Sequence, residues 1–226
     1  MPLNVALQMD PIGSLKPATD STFLIGMQAE KRGQKVGYYT PDRLALRDGN
    51  ITARAQRVTF RPDPKHYYDL GDEETLDLRT MDVVWLRQDP PFNMQYMTTT
   101  YILEQLMPDV LVVNDPASVR DLPEKFFPTK FRQFMPETLI TADVAEIERF
   151  RAGHKDIVVK PLYGYAGRSV LHIKAGDDNF HALMEVLFAH SKVPQMVQPF
   201  LPEVKTGERR VIMIDGNVAG VMARIP

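Results

Sequence analysis

DIVVKPLYGYAGRSVLHI, Asp156 to Ile173, sets a lysine and two glycines between two apolar runs. Ile157, Val158 and Val159 read as a short buried strand with Lys160 at its end, and Val170 to Ile173 read as a second strand. The loop between them carries Gly164 and Gly167. A glycine-rich loop with a lysine points to phosphate, yet two familiar patterns do not fit. A Walker A loop needs Gly-Lys-Ser/Thr after its glycines and a helix behind them, so that the helix N-terminus faces the phosphates. Here the lysine comes first and a strand follows. The dinucleotide fingerprint fails as well, because no helix opens at its last glycine. The expectation is a strand–lysine–loop–strand hairpin. A plain hairpin with an exposed lysine competes with a phosphate site, and short glycine motifs do not decide between them.

Composition narrows the field. The chain has 226 residues, 44% apolar and 25% charged, which suits a globular protein with room for more than one domain. A net charge of −2 implies no broad basic face, so no nucleic acid is expected as partner. With no cysteine there is no disulfide, thiolate metal site or cysteine nucleophile. No apolar run nears the roughly 20 residues that span a bilayer, and MPLNVALQMD runs straight into a strand-like segment. No membrane partner and a cytoplasmic location are the expectations. A homo-oligomer stays open.

The first half alternates strand and helix signals. NVALQM, KVGYYT, MDVVWLRQ and DVLVVND read as strands; DSTFLIGMQAEKRG, capped by Asp20 or Ser21 and stopped by Gly33, and NMQYMTTTYILEQLM read as helices. That order predicts an α/β fold with a parallel sheet. LALRDGNITARAQRVTF looks like a hairpin turning at Asp48-Gly49-Asn50, while HYYDLGDEETLDL is ambiguous. Near Pro123 the pattern changes. DLPEKFFPTKFRQFMPE reads as a connection, and DVAEIERFRAG as a helix capped by Asp143 with Glu146 in the capping-box position. NFHALMEVLFAHSK reads as a helix with one apolar stripe. PQMVQPFL, RRVIMID and VAGVMARI read as strands, the last two joined at Gly216-Asn217. A small α+β unit is therefore expected before a new antiparallel sheet that begins near Arg209.

Charged residues bracket that small unit. Lys125 precedes it, Glu208 and Arg210 follow its last strand, and Arg224 stands near the end of the chain. Two lysines could reach phosphate oxygens beside a nest of backbone N–H groups, with the arginines adding bidentate contacts. Taken singly, each basic residue is better explained as a solvated surface charge, and the phosphate reading gains only because these residues bracket one small α+β unit in chain order. VQPFLPE has two equal readings. One is a buried strand ended by Pro202. The other is an extended linker that binds adenine by its backbone, Pro199 offering a carbonyl, Leu201 an N–H, and Phe200 or Met196 a face for the purine. Glu208 could accept from ribose hydroxyls or be a loop acid. In WLRQDPPF, Arg87 and Asp89 sit where a strand ends, held by Pro90 and Pro91. In open α/β sheets ligands bind beyond the carboxyl ends of strands, and rigid charges there suit a polar zwitterion. A tight turn with Asp89 as a helix cap explains the aspartate but not Arg87. The histidines at 66, 154, 172, 181 and 190 lack metal-ligand spacing, so no metal residue is assigned.

These stretches together resemble one family. MDPI, RQDPPF, YMTTTYILE, VVNDPASVRDLPEKF, PETLIT, VVKPLYGYAGRSV, QPFLPEVKTGERRVIMIDG and ARIP are similar, in the same order, to segments of the bacterial glutathione synthetases of the ATP-grasp superfamily. The resemblance implies a ligase that joins γ-glutamylcysteine to glycine with ATP and Mg2+. The γ-phosphoryl group goes to the dipeptide carboxylate, and glycine's amine then displaces phosphate. It implies an N-terminal substrate domain over 1–124, an ATP-grasp small domain over 125–202, and the start of a central domain over 203–226. Lys125 and Lys160 match nucleotide lysines, Gln198, Pro199, Phe200 and Leu201 the adenine hinge, and Glu208 the ribose acid. Arg210 and Arg224 match arginines near phosphates and substrate, and Gly164 to Gly167 the phosphate loop. Arg87, Asp89, Asn114 and Ser118 fall in substrate-side segments.

Three departures stand out. Tyr163-Gly164-Tyr165-Ala166-Gly167 replaces the usual Asp-Gly-Met-Gly-Gly, and Ala166 is expected to restrict positive φ. Pro123 replaces a common Asn. The family's second glycine-rich segment and its magnesium ligands come after the point where this chain ends, so the chain is expected to be an N-terminal portion, inactive by itself. A nucleotide-binding module without catalysis, or an ATP-grasp ligase for another carboxylate and amine, are the alternative readings.

Overall fold

A computed structural model describes residues 1–165, 167–189 and 192–225. The chain divides into two compact units, Met1–Phe127 with Tyr163–Ala166, and Pro128–Leu162 with Gly167–Pro226.

The first unit holds β1 (Asn4–Gln8), α1 (Ser21–Lys31), β2 (Lys35–Tyr39), β3 (Leu44–Arg47), β4 (Asn50–Phe60), β5 (Tyr68–Asp77), β6 (Val83–Leu86), α2 (Met94–Glu104), β7 (Leu111–Val113) and α3 (Pro116–Asp121). Its sheet runs β3-β4-β2-β1-β6-β7, with β5 also paired to β4. The β2-β1-β6-β7 portion is parallel, and β3, β4 and β5 extend it antiparallel. Successive residues of β1 face opposite sides. Val5 and Leu7 pack with Phe23 and Ala29 of α1, whereas Ala6 packs with Val84, Val112 and Leu103 of α2. Burial on both faces is why NVALQM reads as a nearly continuous apolar run rather than an alternation. Asp20 is the cap of α1: its carboxylate accepts from the Thr22 N–H at 2.7 Å. Gly33 stops the chain's helical course with φ +67. The hairpin between β3 and β4 turns through Asp48 and Gly49, both at positive φ, as a two-residue loop requires. The ambiguous HYYDLGDEETLDL supplies β5.

The second unit holds β8 (Leu139–Thr141), α4 (Val144–Gly153), β9 (Ile157–Pro161), β10 (Leu171–Ile173), α5 (Phe180–Phe188), β11 (Gln195–Pro199), β12 (Glu208–Ile214) and β13 (Asn217–Arg224). Four of its strands form an antiparallel sheet in the order β10-β9-β11-β8. One face, with Ile157, Val159, Ile173 and Val197, packs against Ile147 of α4 and Phe180 and Met184 of α5. The register puts Val158, Lys160, Met196, Gln198 and His172 on the other face. Strands β12 and β13 form a two-stranded sheet of their own.

Two local expectations need correction. The turn expected at Gly216-Asn217 uses Asp215 and Gly216, at φ 48 and 76, and Asn217 already belongs to β13. A capping box at α4 does not form. Asp143 does cap the helix through the Ala145 N–H, but its own N–H donates to the Thr141 hydroxyl at 3.0 Å, and Glu146 pairs with Arg149 instead of reaching back. Among the described residues no helix is long and apolar enough to cross a membrane.

Candidate functional site

In the second unit the site is built on the sheet face that α4 and α5 leave aside. Lys160 is the fourth residue of β9 and stands opposite Met196 of β11. Its ammonium donates to Gln198 Oε1 at 2.7 Å, Gln198 Nε2 donates to Thr138 Oγ1 at 2.8 Å, and the Thr138 hydroxyl donates to the Pro136 carbonyl at 2.8 Å. Gln198 is 6% exposed, so its side chain serves this interior line of bonds. Met196 is buried beside it. Pro199 ends β11 opposite Ile157, and the Phe200 N–H donates to the Asp156 carbonyl at 2.8 Å. The Phe200 ring stacks on His172 with centroids 3.9 Å apart and planes 13° apart. His172 Nε2 lies 3.0 Å from the Asp156 carboxylate. The Ala175 N–H, and then His172, hold that carboxyl below its usual range. Leu201 is exposed and caps the short 3-10 helix Pro202–Thr206.

The β12–β13 hairpin brings three expected residues to one face. Glu208 stands opposite Arg224, and Arg210, two residues along, stands opposite Met222. Arg224 donates to Glu208 at 2.8 Å. Both side chains are more than half exposed. A pair of this kind contributes roughly 0–1 kcal/mol, so a competing phosphate or hydroxyl can displace either partner.

In the first unit, Arg87 directly follows β6, and its N–H donates to the Gln8 carbonyl at 2.8 Å. Its guanidinium is held against the start of α1 by the hydroxyls of Thr22, at 3.0 Å, and Ser21, at 2.8 Å. The Asp89 N–H donates to the Asp10 carboxylate at 2.6 Å. Partial withdrawal from water raises the Asp89 carboxyl above its usual range, the charges of Asp10 and Asp20 add to this, and Arg87 opposes it. Asp10, Thr40, Arg43, Asp89 and Asn93 line a cleft at the carboxyl ends of β1, β2 and β6. Asp89 is not a helix cap, since Asn93 caps α2 through the Tyr96 N–H at 3.0 Å. Asn114 follows β7, the parallel neighbour of β6, so it lies at the same end of the sheet. Ser118 sits in the first turn of α3, its N–H bonded to the capping Asp115 at 2.6 Å. Lys125 donates to the Gly164 carbonyl. Gly167 has φ +70, and a Cβ added there would meet nothing within 4 Å, so backbone freedom rather than space calls for glycine. The effect expected of Ala166, and the role of His190, lie outside the described residues.

Several members of these groups carry no sequence signal of their own. Thr138 was visible only within PETLIT, and Asp10 only within MDPI. Ser21 and Thr22 read as ordinary helix-start residues. What the strands do is bring Thr138 to Gln198 across 60 positions and Asp10 to Asp89 across 79.

Comparison with known proteins places these groups in context. The family model for the prokaryotic glutathione synthetase N-terminal domain matches residues 3–120, and that for the prokaryotic glutathione synthetase ATP-grasp domain matches residues 124–226. The glutathione synthetase of Agrobacterium fabrum is 46% identical over 99% of this chain and 70% of its own length. That of Mesorhizobium japonicum is 46% identical over 100% of this chain and 72% of its own. Among solved structures, an ATP-grasp RimK domain protein of Sphaerobacter thermophilus superposes with a TM-score of 0.62 at 19% identity, over 98% of this chain and 72% of that one. It supports the fold alone.

Proposed function

Because this chain belongs to the prokaryotic glutathione synthetase family, we propose that it is a cytoplasmic ATP-dependent ligase that joins γ-glutamylcysteine to glycine. The observation that carries the reading is the tandem match of both family domains, at residues 3–120 and 124–226. Residues 1–124 form the substrate domain in this proposal, 125–202 the ATP-grasp small domain, and 203–226 belong to the central domain. A carboxylate oxygen of the dipeptide attacks the γ-phosphorus of ATP and ADP leaves. Glycine's amine then attacks the acyl carbon, loses a proton, and phosphate leaves. No side-chain nucleophile takes part. The protein's contribution is positioning and electrostatic stabilisation of the transferring group.

The roles divide as follows. Lys125 and Lys160 meet nucleotide phosphates, and the loop from Gly164 to Gly167 offers backbone N–H groups. Pro199 and Leu201 offer backbone to the base, with Phe200 beside it and Gln198 on the Lys160 side. Glu208 takes the ribose, and Arg210 and Arg224 stabilise charge on the transferring phosphoryl group. Arg87 and Asp89 pair with opposite charges of the zwitterionic dipeptide, and Asn114 and Ser118 line the same end of the first sheet. Magnesium ordinarily accompanies a triphosphate in such transfers. It is held through the phosphates themselves and only one or two carboxylates, and among the described residues no group of three or more acidic or histidine side chains lies together. No step is assigned to it.

The test is ATP-dependent phosphate release by the complete enzyme that carries this sequence. Release that needs both γ-glutamylcysteine and glycine supports the reading. Release that persists with either omitted, or that follows another carboxylate and amine better, contradicts it.

A further inference from the structure

Thr138, Gln198 and Lys160 form a line of hydrogen bonds whose direction is fixed at both ends. The Pro136 carbonyl can only accept, and it takes the Thr138 hydroxyl proton at 2.8 Å. Thr138 Oγ1 is then left as an acceptor, and Gln198 Nε2 donates to it at 2.8 Å. The amide is thereby turned with Oε1 away from Thr138. The Lys160 ammonium, which can only donate, meets that oxygen at 2.7 Å. A reversed amide would set an NH2 group against the ammonium. The line crosses the sheet, from the residue before β8, through β11, to β9. Gln198 is 6% exposed, so water does not readily replace a lost partner.

The neutrality of Gln198 has a consequence of its own. A carboxylate in its place would also hold the ammonium, but it would offset the charge that attracts a phosphate. We propose that Thr138 is a positioning residue for nucleotide binding: its hydroxyl orients Gln198, whose neutral carbonyl oxygen holds Lys160 toward the phosphates. This rests on the reading of Lys160 as a nucleotide ligand. Thr138 touches no substrate in this scheme and acts through Gln198 alone.

The test is equilibrium binding of ATP, together with the rate at which Lys160 is acetylated by acetic anhydride in the nucleotide-free protein, read by peptide mapping. Thr138→Val keeps the shape and removes the hydroxyl. It should weaken ATP binding about 5-fold, as loss of one hydrogen bond does, and speed acetylation of Lys160. Thr138→Ser restores the hydroxyl and should restore both. Gln198→Glu keeps an acceptor and adds a charge, and should weaken ATP binding while acetylation stays slow. Unchanged ATP affinity in Thr138→Val overturns the assignment whether or not acetylation quickens, as does failure of Thr138→Ser to rescue. A parent protein with no measurable ATP affinity would overturn it by a different route, through the nucleotide reading itself.

Discussion

Lys160 sits inside a strand, with its ammonium on Gln198 rather than loose in solvent. A lysine anchored this way is directed, so its loss should show in nucleotide binding, and also in stability, because buried Gln198 loses a partner that water does not readily replace. Lys160→Ala is expected to weaken ATP binding by about 2 kcal/mol or more, the range for a desolvated charge removed from its partner. Lys160→Arg should cost less, since the charge remains. Calorimetric titration with ATP separates these outcomes, and equal affinity in the alanine variant and the parent would remove Lys160 from the site. Asp89 makes a second residue-scale case. Its carboxyl is raised in the folded protein, first by partial withdrawal from water and then by Asp10 and Asp20. The folded state therefore binds a proton more tightly than the unfolded state. Stability on this account falls as pH rises from the ordinary carboxylate value through the raised one, and is relieved on acidification. Asp89→Asn should remove that dependence, so the variant gains on the parent at neutral pH and loses the advantage below the carboxylate range. Urea midpoints across that range read the difference, and parallel curves for the two proteins would count against the assignment. The types of residue at these positions were legible in the sequence. Their partners were not, because Thr138 and Asp10 come to Gln198 and Asp89 only through strand pairing.

At the scale of elements, helix and strand order follows the apolar pattern wherever one element buries a face. Helix α1 is an instance. Gly26 lies mid-helix where propensity favours alanine by about 1 kcal/mol. Yet a Cβ there would stand 2.5 Å from the Phe60 ring, which is itself 3% exposed and packed against Phe23. Overpacking should win. Gly26→Ala is expected to destabilise the first unit by about 1–3 kcal/mol, measured by thermal or urea denaturation. A variant more stable than the parent would show that the ring moves aside freely. Strand β5 is the opposite instance. Eight of its ten residues are exposed and several are acidic, so no alternation marks it, and only its pairing to β4 makes it a strand. The β9–β10 hairpin was readable from its lysine and glycines, but its use was not. The hydrogen-bond line behind Lys160 depends on β8 and β11 lying beside β9.

At the scale of the molecule, the chain carries two units with different sheets, one mixed, with a parallel β2-β1-β6-β7 portion covered by helices on both faces, the other antiparallel with helices on one face. The alternation of strands and helices before Pro123 and its change afterwards made that contrast legible, and the match of two family domains in the same order agrees with it. The reaction that follows from the family has a signature in the fate of one oxygen atom. If the dipeptide carboxylate is phosphorylated and glycine then displaces phosphate, one carboxylate oxygen departs with the phosphate. The most direct measurement uses γ-glutamylcysteine labelled with oxygen-18 in its cysteinyl carboxylate, with unlabelled ATP, water and glycine, and follows the released phosphate by mass spectrometry. The account predicts one labelled oxygen in each phosphate formed together with glutathione. Glutathione formed with unlabelled phosphate would contradict it.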